Sequence, residues 1–331
     1  LLTSAKIRSD SNGAQLQLFA GDLAETQTAT PLLTLPSKTS LNLTLTNNSI
    51  ALSTTRGSKI TPVTIGSSFT LRWTGTRYLE GPITVLSLAS GNTVNRYRHG
   101  QMNFKIIRDK ALGKRIEIIN SVRLQDEYLW GISEMSSAWP TAALEAQVIA
   151  SRSYALSKIG VLKPSCDCHV YSHIADQNFV GYSKEIEPKI GALWKAAVTR
   201  TNIDTSTSLV ILANGKPIQA YYSSSSGGAT QTTLDAWGQA TSYTQSVADP
   251  AGLDPKINPR FASWKASSTQ QLVAAAFLLP DVISLEIVSR NSAGAVTYIK
   301  GTSSNGSTKL LRGDTFRSRA KIPSPYFQFA P

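Results

Sequence analysis

The sequence is poor in several features that usually identify a protein class. Its 331 residues include two cysteines, too few for a disulfide scaffold. Charged residues make up 16%, below the share of about a quarter that is usual for globular proteins. The longest apolar stretch, QLVAAAFLLPDVISLEIV, is broken by Pro280 and Asp281, so no membrane-spanning helix is predicted. A G-x-S-x-G motif is also missing, which argues against a serine hydrolase.

The charge that is present is mostly positive. The formal net charge is +12, which favours contact with polyanions such as nucleic acid, anionic lipid or acidic wall polymers. The cations form no run of five or six residues, so a nucleic-acid-binding tail is not predicted. The start, LLTSAKIRSD, lacks an initiator Met and a basic leader, as expected of a chain whose signal segment has been removed. A polar but weakly charged composition is also common in proteins that work outside the cytoplasm.

Residues 1–95 are predicted to form a β-rich N-terminal region. IRSDSNGAQLQLFAG alternates polar and apolar residues across an Asn-Gly pair, which predicts a hairpin. LNLTLTNNSIALSTT repeats the pattern around Asn47 and Asn48, and KITPVTIGSSFTLRW adds two further strands. No helical period occurs in this region.

Residues 96–331 are predicted to form a second domain in which helices and hairpins alternate. FKIIRDKALGKRIEIINSVRL predicts a hairpin that turns at Gly-Lys, and LQDEYLWGISEM predicts a helix. A long helix is predicted from Pro140 to about Lys158. Its buried stripe comprises Leu144, Val148, Ser151 and Ala155. The remaining predictions are a helix in IGALWKAAVTRT, a hairpin at Asn214-Gly215, a helix in STQQLVAAAFLL, a hairpin in ISLEIVSRNSAGAVTYIKG and a closing turn in LRGDTFRSRA. Because no βαβ unit repeats, the predicted fold class is α+β.

Glu134 is the first candidate for chemistry. It lies among Ile132, Met135 and Trp139, at the expected C-terminal end of a helix. The helix dipole and the apolar neighbours both disfavour an ionised carboxyl. Such an acid keeps its proton near neutral pH and can donate it to a leaving oxygen. The alternative is an ordinary surface glutamate.

The segment CDCHVYSHIADQNFVGY is the second candidate. Its Cys166, Cys168, His169 and His173 are four potential zinc ligands, although their spacing is not a standard structural-zinc pattern. A Cys166–Cys168 disulfide is an alternative in an oxidising compartment. Two reduced, buried cysteines are a third. Asp176 and Gln177, which follow, are candidates for a site or simply solvent-facing polar residues.

The third candidate is AYYSSSSGGATQTTLDAWG. Its serines and glycines between aromatic residues form a donor-rich loop suited to a carbohydrate, although a Gly/Ser linker has the same composition.

In their order and spacing, these segments resemble the SpoIID/LytB family, named for stage II sporulation protein D and a cell-wall amidase enhancer. The resemblance is carried by EYLWGISEM, WP-x-AALEAQVIASRSYAL, CDC…DQ…GY and YYSSSSGGATQ…AWG, from about residue 95 onward. It implies a SpoIID-like catalytic domain with a substrate cleft.

The resemblance also implies roles for individual residues. The catalytic glutamate of the family's S-E-M motif matches Glu134, the helix arginine matches Arg152, and the glutamine of the D-Q pair matches Gln177. The substrate-contacting positions of the serine loop match Tyr222, Ser224 and Ser226. Glu145 departs from the family, which often has lysine there, and we expect it to line the cleft in a charge pair with Arg152. A zinc-bearing relative supports structural zinc at the cysteines.

The implied activity is that of a lytic transglycosylase. Such an enzyme cleaves peptidoglycan between N-acetylmuramic acid and N-acetylglucosamine, leaves 1,6-anhydro ends and requires no cofactor for catalysis. Its expected substrate is glycan strands stripped of stem peptides, and its expected location is the cell envelope, periplasmic or secreted. One alternative is a non-catalytic wall-binding enhancer of a partner amidase. Another is a hydrolase that uses Asp176 as a second carboxylate beside Glu134.

Overall fold

The structure is a computed structural model that describes residues 1–56, 59–63 and 65–330. It divides into two compact units, Leu1–Tyr221 and a second that begins at Tyr222. Both units contain helices and strands, so the predicted α+β class is confirmed. Among the described helices, none combines the length and apolar character needed to cross a membrane.

The first unit opens with eleven strands in two antiparallel sheets. The six-stranded sheet has the order β6-β5-β4-β1-β8-β9, and the five-stranded sheet has the order β11-β10-β7-β2-β3. The strands are β1 Ser4–Ser9, β2 Gln15–Ala20, β3 Leu33–Pro36, β4 Ser40–Leu45, β5 Ile50–Arg56, β6 Lys59–Val63, β7 Ser68–Trp73, β8 Leu86–Ser90, β9 Thr93–Tyr97, β10 Gln101–Asp109 and β11 Gly113–Ser121. The predicted boundary at residue 95 falls inside β9.

The two sheets face each other across one apolar core. Alternate residues of each strand point inward, for example Ile7 of β1 and Leu16 of β2, which are both fully buried. Phe69 and Phe104 stack in the five-stranded sheet with ring centroids 4.5 Å apart.

The two hairpin predictions around Asn-containing turns have different outcomes. The hairpin of β4 and β5 around Asn47 and Asn48 is confirmed. The hairpin across Asn12-Gly13 is wrong, because β1 pairs with β4 and β8 whereas β2 pairs with β3 and β7. Both strands carry an apolar face, and facing each other from opposite sheets buries both faces in one core.

The rest of the first unit contains its helices. After a turn of π-helix at Leu124–Tyr128 come α1 Thr141–Lys158, α2 Tyr182–Glu185, α3 Gly191–Arg200, β12 Leu212–Ala213 and β13 Lys216–Pro217. A second apolar core joins α1 and α3 through Leu144, Val148 and Trp194, all buried. The predicted long helix is confirmed, with Pro140 as its N-cap instead of its first residue. The hairpin at Asn214-Gly215 is confirmed as well, both residues having the positive φ that its tight turn requires.

The predicted helix over residues 124–135 is wrong in its second half. Its helical turn ends before Gly131, and the chain continues in an extended conformation through Ile132, which bridges to Phe179. Pairing with the segment around Phe179 satisfies backbone groups that a longer helix would have bonded internally. Glu134 therefore follows an extended segment and does not lie at a helix terminus.

The second unit contains α4 Thr233–Trp237, a 3₁₀ turn at Pro250–Leu253, α5 Gln270–Phe277, β14 Ser284–Arg290, β15 Val296–Thr302, β16 Thr308–Arg312 and α6 Gly313–Ala320. The three strands form one antiparallel sheet, on which α5 and α6 pack through Phe277, Ile299 and Phe316. The predicted α5 helix and β14–β15 hairpin are confirmed. LRGDTFRSRA forms the helix α6 and not only a turn.

Candidate active site

Glu134 is positioned by backbone pairing between two extended segments. Ser133 donates its N–H to the carbonyl of Asn178 at 2.8 Å, and Val180 donates to the carbonyl of Gly131 at 2.8 Å. The N–H of Asn178 donates in turn to Oε1 of Glu134 at 2.7 Å. The carboxyl group is thus oriented by a backbone amide.

The close approach of the two segments depends on Gly131. A Cβ atom at this position would lie 2.3 Å from the ring of Phe179. That ring also stacks on Tyr128 with centroids 5.6 Å apart. A side chain at residue 131 would therefore displace Phe179 and the neighbouring Asn178.

The surroundings of Glu134 are mixed. Its side chain is half-buried. Ile132 is fully buried, as the sequence predicts, whereas Trp139 is 52% exposed. The expectation that Glu134 retains a proton near neutral pH stays a prediction.

A second set of contacts holds the segment that follows Glu134. Lys184 is 1% exposed and donates from Nζ to the carbonyl of Met135 at 2.8 Å. The same Nζ contacts both carboxylate oxygens of Glu187 at 3.1 Å. Ser137, also buried, donates to Glu187. The chain is thus held by Asn178 at Glu134 itself and by Lys184 one residue later.

Gln177 lies beside this site but is completely buried. Its Oε1 accepts a hydrogen bond from the hydroxyl of Tyr128 at 2.7 Å. The side chain thereby anchors the segment that carries Asn178. Direct contact of Gln177 with a glycan stays a prediction.

Arg152 is buried in α1 at 2% exposure. It donates to Oγ1 of Thr201 at 2.9 Å, to Oδ1 of Asn202 at 3.0 Å and to the carbonyl of Leu209 at 2.9 Å. Desolvation lowers the pKa of Arg152 to about 10, which leaves it charged at neutral pH. These contacts tie α1 to the segment after α3, a structural task, and contact with substrate stays a prediction.

The expected charge pair between Arg152 and Glu145 is wrong. Glu145 lies on the outer side of α1 and accepts a hydrogen bond from Nε of Arg200. The two residues are seven positions apart, which is almost two helical turns, so they lie on approximately the same side of α1. Burial separates them: the guanidinium of Arg152 lies inside, whereas the carboxylate of Glu145 is about one third exposed.

Asp176 binds to the fold through both of its oxygens. Oδ1 accepts from the hydroxyl of Tyr154 at 2.8 Å, and Oδ2 accepts from Nζ of Lys163 at 2.6 Å and the N–H of Tyr171 at 2.7 Å. Burial opposes ionisation, but these hydrogen bonds outweigh it and lower the pKa of Asp176. Asp176 is therefore a structural carboxylate.

Asp176→Asn is expected to lower the free energy of unfolding by about 2 kcal/mol at pH 7, because Lys163 loses its buried partner. The folded-state pKa of Asp176 lies below its unfolded value of about 3.9, so its stabilisation is full above that value and disappears as the pH falls through the folded pKa. Urea unfolding at pH 7 and pH 3 should show the difference between wild type and variant shrinking in acid. Asp167→Asn, which removes an exposed partner of Lys105, is the matched control with a small effect. Equal losses at both positions would contradict this assignment.

Cys166 and Cys168 form a disulfide. A disulfide leaves neither sulfur as a thiolate, so the predicted zinc ligands do not fit a zinc ion in this state. His169 and His173 are exposed, and across the described ranges no three His, Cys, Asp or Glu side chains converge as metal ligands. Of the three sequence alternatives, the structure has the disulfide.

Thiol labelling checks this bond directly. We expect no reaction of the unfolded, unreduced protein with maleimide and two labels after reduction, as measured by mass. Excess chelator should leave the melting temperature unchanged. A chelator-induced fall in melting temperature together with two reactive thiols before reduction would instead indicate the zinc site.

The serine loop belongs to the second unit and is well fixed there. Ser226 donates to Oδ2 of Asp249 at 2.6 Å and accepts from the N–H of Gly228 at 3.1 Å. A Cβ at Gly228 would lie 2.8 Å from Leu253. The loop is therefore a packed turn and not a linker. Among the predicted glycan contacts, Tyr222 and Ser224 are exposed, whereas Ser226 is bonded to Asp249.

Four residues that hold the chain around Glu134 are absent from the sequence predictions, namely Asn178, Lys184, Glu187 and Ser137. In the sequence, Lys184 and Glu187 lie in GYSKEIEPK, which is typical of a solvated surface. Nothing in the sequence around Lys184 distinguishes it from a surface lysine.

The segment that carries Glu134, Gln177 and the disulfide is similar to a known family. Residues 113–207 match the family model SpoIID, described as stage II sporulation protein. The predicted resemblance to the SpoIID/LytB family is therefore confirmed over this segment.

A particular relative is the amidase enhancer of Bacillus subtilis (strain 168). The two sequences are 30% identical over 125 residues, which is 38% of this chain and 15% of the relative. The match thus spans a small part of that longer protein.

Proposed function

We propose that the chain is a cell-wall lytic transglycosylase in which Glu134 is the general acid and base. The observation that carries this proposal is a single half-buried carboxyl group, fixed by the backbone of Asn178, inside the segment that matches SpoIID. Its substrate is peptidoglycan glycan, stripped of stem peptides, in the cell envelope.

The reaction requires one carboxyl group that both gives and takes a proton. Glu134 donates its proton to the glycosidic oxygen between N-acetylmuramic acid and N-acetylglucosamine as the bond to C1 breaks. The resulting carboxylate accepts the proton of the muramic 6-hydroxyl, whose oxygen bonds to C1 and closes the 1,6-anhydro ring. Glu134 ends the cycle protonated. The substrate supplies the nucleophile, so no positioned water is needed.

The structure disfavours the alternative with two carboxylates. A glycoside hydrolase needs a second carboxylate as base or nucleophile, separated from the first by roughly 5 to 9 Å. Asp176 was the candidate, but both of its oxygens are engaged by Tyr154, Lys163 and Tyr171. A residue held in this way does not reach a water or a sugar without breaking a buried ion pair.

The name of the Bacillus subtilis relative supports a second candidate function, a wall-binding protein that stimulates a partner amidase. In that case Glu134 would hold the backbone of Asn178 without taking part in chemistry. The net charge of +12 suits contact with an anionic wall in either case.

Product analysis distinguishes these functions. Glycan strands without stem peptides are incubated with the purified chain and the products are analysed by mass. New 1,6-anhydro ends support the transglycosylase, and reducing ends indicate hydrolysis. Binding without new ends, together with faster turnover of an added cell-wall amidase, would support the enhancer and overturn the proposal.

A further inference from the structure

The positive charge of the first unit is concentrated in its β-strands. Residues 1–121 hold fourteen Lys and Arg against six Asp and Glu, whereas residues 122–221 hold nine of each. The part of this unit that carries Glu134 is thus formally neutral, and the two sheets carry its excess charge. This division indicates a task for the sheets other than glycan cleavage.

The hairpin of β10 and β11 concentrates this charge further. The eight residues at its tip, 108–115, read RDKALGKR and include four cations and one acid. We call this segment the basic tip. Arg108 and Lys110 are exposed, as are the other turn residues between the strands. The turn lies at residues 110–112, with Asp109 opposite Gly113, and not at the predicted Gly-Lys pair.

Two cations of the basic tip lie directly opposite each other. Arg108 pairs with Lys114 in the antiparallel register, so their side chains project from the same face of the sheet. Like charges in directly opposed positions destabilise a hairpin. Without a bound anion, repulsion between Arg108 and Lys114 therefore lowers the stability of the hairpin.

The acid in the basic tip does not remove this conflict. Asp109 accepts hydrogen bonds from the backbone N–H groups of Ala111 and Leu112 at 2.8 and 2.7 Å. These bonds are the main reason that the pKa of Asp109 is lowered. Asp109 closes the turn, and its carboxylate is turned toward the backbone.

Lys114 is fixed from the opposite sheet. Its Nζ donates to Oδ1 of Asn48 at 2.6 Å and to the carbonyl of Asn47, both in the turn between β4 and β5. These acceptors are uncharged, so they position the ammonium group without neutralising it. The basic tip therefore presents the charge of Lys114 at a fixed position, which reduces the ordering entropy lost on binding.

We propose that the basic tip binds a polymer of phosphodiesters, such as an anionic polymer of the cell wall. Phosphate groups repeated along a chain would neutralise Arg108, Lys110 and Lys114 together and relieve the repulsion across the hairpin. The choice of a wall polymer over nucleic acid rests on the cell-wall role proposed above. The site itself is independent of catalysis by Glu134.

Binding to poly(glycerol phosphate) tests the site in the full-length chain. Arg108→Gln combined with Lys110→Gln should weaken binding about tenfold or more and make it less dependent on salt. Lys256→Gln combined with Lys309→Gln removes the same charge from exposed positions of the second unit and should change affinity less than about twofold. Equal weakening by both pairs of substitutions would overturn the proposal, because binding would then follow net charge alone.

Two further arms fix the ligand class. Wall preparations from which phosphodiester polymers have been extracted should retain less protein than untreated walls, and the tip variant should show a smaller difference. Equal retention on both walls would overturn the proposal.

Double-stranded DNA is the second ligand to test. If it bound as tightly as the polymer, and if the same tip substitutions abolished that binding, the basic tip would be assigned to nucleic acid. Association of the tip variant into oligomers, with unchanged polymer binding, would assign the cations to protection of the β11 edge.

Discussion

Glu134→Gln is expected to abolish release of 1,6-anhydro ends from stripped glycan. General acid–base catalysis by one positioned group contributes about 10²- to 10⁴-fold to a rate, and here one group serves both proton transfers. An amide can neither donate to the glycosidic oxygen as an acid nor accept the proton of the 6-hydroxyl as a base. The loss should appear in kcat, with binding of the glycan largely kept.

The fold should survive this substitution. Glutamine keeps the Oε1 acceptor that the N–H of Asn178 uses, so the pairing of the two extended segments remains satisfied. Glu145→Gln is the matched control, because it makes the same change at a partly exposed glutamate paired with Arg200 and should leave the rate unchanged. Anhydro release by Glu134→Gln at the wild-type rate would refute the proposed role.

Local patterns in the sequence predict much of the fold but less of its long-range pairing. The apolar stripe that includes Leu144 and Val148 correctly predicts α1, because burial of one helical face has a period that can be read from the sequence. The hairpin predicted at Asn12-Gly13 was wrong, because alternation shows that a strand has a buried face but not which strand pairs with it. The helix predicted over residues 124–135 was wrong beyond Gly131 for a similar reason. Phe179, which packs against Gly131, is distant in sequence.

In the candidate site, too, the sequence predicts some residues and not others. Glu134 can be recognised from its apolar neighbours and from the motif around it, whereas the residues that hold it cannot. Asn178 acts through its backbone N–H, which carries no sequence signal. Lys184 is as polar as any surface lysine, and only folding shows that it is buried against Met135 and Glu187.

Lys184→Met is expected to lower glycan cleavage about 100-fold while the protein remains folded. Methionine retains an unbranched apolar stem but removes the donor to the carbonyl of Met135, the charge opposite Glu187 and the cation above the ring of Trp194. The unsatisfied carbonyl and carboxylate should cost about 2 to 3 kcal/mol of unfolding free energy. A displacement of about 1 Å at a catalytic group is enough for a loss of this size in rate.

The measurement must separate positioning from general loss of stability. Lys195→Met is the matched control, since it breaks the ion pair of Lys195 with the buried Glu185 and leaves the hydrogen bonds to Glu134 and Met135 in place. Both variants should lose stability, but only Lys184→Met should lose kcat at a temperature where each is fully folded. Ser137→Ala, which removes one contact to Glu187, should cause a smaller loss in the same parameter.

The kcat values of Lys184→Met and Glu134→Gln together distinguish a residue that positions the chain from the residue that transfers the proton. If Lys184→Met keeps the wild-type kcat whereas Glu134→Gln has none, the lysine is structural only and the catalytic role of Glu134 stands. If both lose kcat but glycan affinity is kept, the acid depends on an anchor one residue away. That outcome is expected from the structure, because Asn178 donates to the carboxyl group and to the preceding Ser133, and the buried Lys184 donates to the following Met135.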